Sequence, residues 1–390
     1  MPEILYPEST EELRHVLAAT ARARRPIDLF GSDTKRLMAG PAPREAQQIT
    51  TAALRGILQY EPRDLTISVE AGMPFADLNR ELARNNQMIP LDGPYAAEGT
   101  VGGLIAANVS GSRRRLYGTA RDLVIGVKFA TLEGKLVQSG GMVVKNVAGL
   151  DMGKLMIGSF GTLAAIVSIN FKLVPKPTAA RTLLFSFDDP KAVFAARDMA
   201  IRGVLNPAAA DILNPVLAAQ LNLPGVPLKG FILALGFAGN DAVIERANRE
   251  AESFGLPRAL NPEEEGRFWT AIANVTPRHM EKFREGSVGK VSTTLSECAD
   301  ALASVEGPGH VHAASGIVRA WFSRPDAVNR WLASAQKRGW KGIVEFSAES
   351  IKSQIKLWPA PGPDFEIMKR IKHMFDPEGL LNAGRLYGLL

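Results

Sequence analysis

Three glycine-rich stretches and a pair of histidines hold the residues of this sequence that could do chemistry. Gly31-Ser32-Asp33-Thr34-Lys35 follows the apolar run 26–30. Small and hydroxylic residues at a strand-to-loop turn can offer backbone N–H groups to a pyrophosphate, although the stretch taken alone also reads as an ordinary turn. Thr100-Val101-Gly102-Gly103 continues through Asn108 to Ser110-Gly111. Two adjacent glycines let a backbone approach a phosphate with no Cβ between them, and a helix starting at or after Gly102 would turn its positive end toward it. A helix start packed on a sheet is the plainer alternative. The third stretch runs from Lys145-Asn146-Val147-Ala148-Gly149 to Gly158-Ser159-Phe160-Gly161-Thr162-Leu163. Glycine at that density in apolar surroundings is costly unless the backbone needs it. Within it Asp151 and Lys154 are spaced to pair on a helix surface. His310 and His312, two apart on a strand-like segment, share a face and could bind a metal beside a carboxylate. No partner stands at matching spacing, so a structural, polar-core role is expected and no metal site is assigned. No catalytic residue is identified; His312 is the one candidate.

These stretches need a frame. Ser9-Thr10-Glu11-Glu12 is a capping box that opens an amphipathic helix carrying Leu13, Val16 and Leu17. Residues 26–30 and 65–71 read as strands, and 75–85 as a helix with Leu78 and Leu82 on one face. From 99 to 161 glycine recurs every few residues between short β-type runs such as 123–131, the pattern of a sheet whose loops pass close to something. A strand at 163–174 ends at Pro175-Lys176-Pro177, where we place a domain boundary. Beyond it, strands at 181–187, 230–237, 316–322 and 342–346 and helices at 192–202, 241–254 and 326–338 suit an antiparallel sheet with helices on one face. Pro359-Ala360-Pro361-Gly362-Pro363 links to a tail with a short helix and Asn382-Ala383-Gly384-Arg385. The expected organisation is α+β: domains 1–177 and 178–364, and a C-terminal segment 365–390 that returns to the first.

Totals exclude several classes. With 390 residues, 46% hydrophobic and 22% charged, the chain can build more than one packed unit. A net charge of +6 suits an anionic cofactor, an organic acid or an acidic partner. The one tight basic cluster, Arg113-Arg114-Arg115, has no aromatic ladder beside it, so no nucleic acid is expected. Cys298 is the only cysteine, which excludes an internal disulfide and cysteine-held zinc or iron–sulfur centres and fits a cytoplasmic setting. The N-terminus has no signal-peptide pattern, and no apolar run approaches a membrane span. There is no G-x-G-x-x-G between a strand and a helix. Gly286-Ser287-Val288-Gly289-Lys290 lacks the first glycine of a P-loop and has Val291 where a hydroxyl must meet the metal.

In this order, Gly31–Lys35, Thr100–Gly103 with Asn108, Gly158–Leu163 and the tail Asp376-Pro377-Glu378-Gly379-Leu380-Leu381-Asn382-Ala383-Gly384-Arg385 resemble the vanillyl-alcohol-oxidase / p-cresol-methylhydroxylase (PCMH-type) FAD-binding superfamily. Ala383 replaces a proline of the family tail. The resemblance covers 1–177 and the last 25 or so residues well, and the middle weakly. It implies a two-subdomain PCMH-type FAD domain followed by an α+β cap domain. FAD would be non-covalent, because the flavin loops lack an evident histidine. Backbone N–H groups at Gly31, Ser32, Asp33, Thr34 and at Thr100, Val101, Gly102, Gly103 would hold its pyrophosphate. Ser110, Gly158 and Ile166 would line its isoalloxazine and adenine regions, Asn108 and Gly111 would also belong to the cofactor site, and Asn382 and Arg385 would reach the flavin edge from the tail.

Lys145-Asn146-Val147-Ala148-Gly149 and His312-Ala313-Ala314-Ser315-Gly316 look most like the E-subunit family of glycolate oxidases. That likeness implies a D-like flavin subunit and an iron–sulfur F-like subunit as partners, a small 2-hydroxy acid as substrate, and peripheral membrane association through the complex. Catalytic relatives hold a metal and a general base in His-Ala-Gly-Asp-Gly-Asn-x-His and a later Glu-His-Gly. Here Ser315 stands at the acidic position, Val318-Arg319 where Asn-x-His would fall, and no Glu-His-Gly follows Val344-Glu345-Phe346. Two other readings stay open: an assembly subunit with a vestigial flavin pocket, and an autonomous FAD-linked 2-hydroxy-acid dehydrogenase of the D-lactate type.

Overall fold

The computed structural model describes residues 3–143, 150–203, 205–226, 228–388 and 390; Lys145-Asn146-Val147-Ala148-Gly149 lies outside them. An antiparallel five-stranded sheet takes the order Ile57–Glu61, Thr66–Glu70, Ala165–Lys172, Val124–Ala130, Leu136–Gly140. Its middle strand is buried from Ala165 to Phe171 because both faces are covered. One face packs on helices Phe75–Ala83 and Val101–Ala107 through Leu78, Leu82, Leu104 and Ile105. The other meets helix Thr10–Arg22 and a small parallel sheet of Ile4–Leu5, Gln47–Thr50 and Ile27–Phe30, through Leu13, Leu17, Ile27 and Ile49. The Ser9 hydroxyl caps that helix by accepting from the Glu12 amide at 3.1 Å. The Glu12 carboxylate turns to the Glu8 amide at 2.8 Å rather than to Ser9, so half of the expected box forms.

The second sheet has eight antiparallel strands, with Ala179–Phe187, Phe231–Gly239, Ala209–Leu213, Gly309–His312, Ile317–Phe322, Ser287–Ser292 and Lys341–Ser347 side by side beyond the edge pair Arg258–Ala259. Two of its inner strands escaped the sequence reading. Ala209–Leu213 lacks β-branched alternation and carries Asp211 in its middle, yet all five residues are buried. Ser287–Ser292 contains the imperfect P-loop; Gly289 is there because a Cβ would sit 2.7 Å from the Trp331 ring.

Helices on one face were expected, and both faces carry them. Pro190–Arg202, Asp241–Ala251, Cys298–Ala303 and Pro325–Lys337 cover one side. Pro215–Leu221, Pro262–Ala273 and Val275–Lys282 cover the other, where Met38, Ala107 and Val109 of the N-terminal half join the same core. The two sheets therefore share a hydrophobic seam. Bridges at Met38–Phe346 and bonds from Ala39 N to Glu345 O (3.3 Å) and Ser347 N to Leu37 O (2.9 Å) stitch it. Among the described residues no helix is long and apolar enough to cross a membrane.

Candidate functional site: a cavity between three loops and the C-terminal tail

Strand Ile27–Phe30 delivers Gly31 to the wall of a cavity. Gly31, Ser32, Asp33, Thr34, Gly102, Gly103, Ile166, Asn382 and Arg385 line it together. Thr100, Val101, Asn108, Ser110, Gly111 and Gly158 do not line it; of these, Val101 and Asn108 adjoin lining residues in the chain. The sequence reading missed Lys35 and Arg36 as wall residues, though both stand in or beside the first glycine loop.

The first loop is the donor-rich wall. No hydrogen-bond partner takes the backbone N–H groups of Gly31, Ser32, Asp33, Thr34 or Lys35 within the described residues. Asp33 holds φ 59°, the left-handed conformation with which a turn can gather successive N–H groups into an anion nest. Gly31 is required there, because a Cβ would overlap the Thr100 hydroxyl. Arg36 is neutralised twice, by Asp28 and Asp33 at 2.7 Å each.

The second loop works differently from expectation. Its helix starts at Val101, one residue earlier, with the Thr100 hydroxyl accepting from Gly103 N at 3.3 Å. Val101 N donates to Met73 O at 2.9 Å and Gly102 N to Ala71 O at 2.7 Å. Of the donors expected to hold a pyrophosphate at Thr100–Gly103, those of Val101, Gly102 and Gly103 are thus spent inside the protein. What the glycines contribute is a wall without side chains: at Gly103 a Cβ would meet only the Thr100 hydroxyl, and the space beyond belongs to the cavity.

The third loop caps that helix. Gly158 N and Phe160 N donate to Ile105 O and Ala106 O at 3.1 and 2.9 Å, with Asn108 ending the helix at φ 49°. Asp151 and Lys154 pair at 2.9 Å on the surface, as their spacing predicts.

The tail locks the arrangement. The Asp376 carboxylate accepts from Leu380 N, Leu381 N and buried Lys372 Nζ at 2.9, 2.8 and 2.6 Å, which fixes the turn that presents Asn382. Asn382 bonds the backbone of Leu29 and Phe160, so it joins loops one and three. Arg385 donates to the carbonyls of Lys35, Arg36 and Gly40 at 3.2, 3.1 and 2.8 Å, and its guanidinium lies 5.9 Å from the Phe160 ring. Burial pushes the Arg385 guanidinium down to about 10. Both tail side chains are occupied with protein backbone; they shape the cavity more than they offer groups to it.

The histidines lie elsewhere, in a buried polar cluster on the eight-stranded sheet. The carboxylate that the sequence did not reveal is Asp211, on the adjacent strand in register with His312. His310 Nε2 lies 3.0 Å and His312 Nδ1 3.2 Å from its oxygens, and the Ser112 hydroxyl also donates to it. Arg319 Nη1 donates to His312 Nε2, while its Nε and Nη2 bind Glu345 at 2.6 and 3.2 Å. A guanidinium can only donate, so His312 accepts at Nε2 and its proton sits on Nδ1, facing Asp211. That tautomer presents no lone pair toward Asp211 and so does not suit a metal between them, even though Asp211, His310 and His312 are close enough to be ligands. Burial would raise the Asp211 carboxyl, but the two histidines hold it far below the usual range; Arg319 and Lys290 do the same for Glu345. Burial pushes His312 down to about 4. Arg319 also reaches Ser110 O at 3.4 Å, which places Ser110 and Ser112 at the junction of the two sheets. Gly111 is needed beside them because a Cβ would press on Asp92, whose carboxylate accepts from Gly111 N and Arg113 N.

Against known families, residues 2–140 match the FAD binding domain and residues 360–386 the C-terminal domain of FAD linked oxidases. The chain is 27% identical over 368 residues to glycolate oxidase subunit GlcE of Escherichia coli (strain K12), covering 94% of this chain and 93% of that one. It is 25% identical to glycolate oxidase subunit GlcD of Bacillus subtilis (strain 168), covering 99% of this chain and 89% of that one. Its fold matches that of p-cresol methylhydroxylase with substrate bound at a TM-score of 0.75 and 16% identity, covering 99% of this chain and 88% of that one.

Proposed function

We propose that this chain, an FAD-binding flavoprotein of the p-cresol-methylhydroxylase type, serves as the FAD-binding subunit of a glycolate oxidase (dehydrogenase) complex that oxidises glycolate to glyoxylate. The observation that carries the reading is the Gly31–Lys35 loop of free N–H groups on the wall of a cavity that Asn382 and Arg385 of the tail also line, in a chain that aligns over 94% of its length with a glycolate oxidase subunit. Bound FAD would supply the two-electron redox centre. Gly31 to Thr34 would hold its diphosphate, Gly102 and Gly103 would let it approach the helix, and Ile166 would pack on it. Asn382 and Arg385 would keep the loops in place. The domain limits 1–177, 178–364 and 365–390 belong to this reading, as do a D-like flavin subunit, an iron–sulfur subunit, a small 2-hydroxy acid, and a cytoplasmic or peripheral inner-membrane location.

Purified protein should carry flavin absorbance, with about one FAD released per chain on denaturation. Absence of flavin across several preparations would sink the proposal. Copurification of the native complex and identification of its subunits tests the partners.

A second reading rests on the buried cluster. His312, the one catalytic candidate, spends both ring nitrogens on Asp211 and Arg319. An assembly subunit with a vestigial pocket fits that closure, and stoichiometric, reducible FAD in the isolated chain refutes it. Turnover of glycolate or D-lactate by the isolated chain with an artificial acceptor would instead establish an autonomous dehydrogenase.

A further inference from the structure

Lys35 is the unmatched charge of the cavity. The residue is 9% exposed, and its Nζ has only the Thr34 hydroxyl at 3.5 Å and the Tyr95 carbonyl at 3.3 Å. No carboxylate lies within ion-pair distance of it among the described residues, whereas Arg36 beside it has two. Holding a buried ammonium without a counter-charge is costly. Gly99 keeps the space around it open, since a Cβ there would sit 2.9 Å from Nζ.

We propose that Lys35 is the charge partner of the FAD diphosphate and that FAD binding completes its ionisation, so that the protein takes up a proton when it binds FAD under mildly alkaline conditions. The inference rests on the FAD reading and adds to it a residue and a linkage. Burial pushes the free amine down to about 8, with exposed Glu98 the carboxylate that opposes it. Two phosphate charges beside Nζ would restore the ammonium. The sign follows from linkage: a group whose value rises on binding takes up a proton between its free and bound values, and affinity falls as pH climbs through that window.

The neighbouring groups do not substitute for it. Arg36 is fixed to Asp28 and Asp33, and Arg385, held at about 10, faces carbonyls. Tyr95 is pushed up to about 12. Lys352 is also lowered to about 8, but it binds the carbonyls of Arg36 and Gly40 and the Glu349 carboxylate and is not part of the cavity wall.

The test is calorimetric titration of flavin-depleted protein with FAD at about pH 7 and about pH 9, each in two buffers of different protonation enthalpy. A group near 8 that becomes fully charged gives uptake of about 0.1 proton at the lower pH and about 0.9 at the higher. Lys35→Met should abolish the uptake and weaken binding at pH 7 by roughly 10–100-fold. Lys35→Arg, which cannot lose its proton, should keep binding but lose the uptake. Tight FAD binding by the wild type without uptake at pH 9, or unchanged uptake in Lys35→Met, overturns the role of Lys35 and leaves FAD binding standing. Failure of the wild type to bind FAD overturns both.

Discussion

The side chain of Asn382 pairs with the backbone of Leu29 as a neighbouring strand would: its Oδ1 accepts from Leu29 N at 2.7 Å and its Nδ2 donates to Leu29 O at 3.0 Å. The same amide donates to Phe160 O at 2.8 Å, from a residue at φ 45° that is 4% exposed. One tail residue thus holds the first and third loops at a fixed separation.

Asn382→Ala leaves the Leu29 amide and two carbonyls without partners and puts a Cβ residue lacking local hydrogen bonds in the left-handed region. The expected loss is about 2–4 kcal/mol. Urea unfolding would measure it, and FAD affinity should fall in parallel. Asn382→Gly keeps the backbone conformation and should recover only the smaller, conformational part.

Gly31 and Thr100 are coupled by contact. Gly31→Ala drives a methyl group into the Thr100 hydroxyl and should cost about 1–3 kcal/mol. Thr100→Ala alone removes a helix cap worth about 1 kcal/mol. In the double variant the clash is relieved, so its loss should be smaller than the sum. An additive pair in a thermal-unfolding cycle would refute this contact.

Arg319 and Glu345 form a buried pair that also binds the Ser110 carbonyl and Lys290, at the junction of the two sheets. Arg319→Met should destabilise by up to about 3–5 kcal/mol because buried Glu345 loses its two guanidinium bonds and keeps only Lys290 as a counter-charge. Adding Glu345→Gln should recover part of that loss, visible as a rise in Tm.

His312 makes stability fall with acid. In the folded protein it stays neutral down to about 4, while the unfolded chain protonates near the ordinary value of 6.5. The unfolded state therefore binds more protons between these limits, and stability is lost as pH falls from 6.5 to 4. Asp92, pushed up to about 6 by burial, acts in the opposite sense over the lower part of that range. A comparison of wild type with His312→Gln cancels the Asp92 contribution. The stability advantage of the wild type should shrink by up to about 3 kcal/mol across the window. A constant difference would mean that His312 is not held neutral.

The sequence determined the elements wherever local chemistry was sufficient. Ser9 marks a helix start and the glycine loops fall where strands end, while Gly31 through Thr34 were joined with Asn382 and Arg385 only by the resemblance of loops and tail to a PCMH-type domain. Side chains that act across long separations were not legible. Asp211 reads as a lone acid in an alanine-rich stretch until pairing sets it opposite His312, 101 residues away. Lys35 reads as part of a turn until burial shows that it lacks a counter-charge. The amides of Val101 and Gly102 read as free donors until Met73 and Ala71 arrive to take them. Hydrogen-bond satisfaction and desolvation belong to a packed neighbourhood rather than to a residue's place in the chain, and only the tertiary structure assembles that neighbourhood.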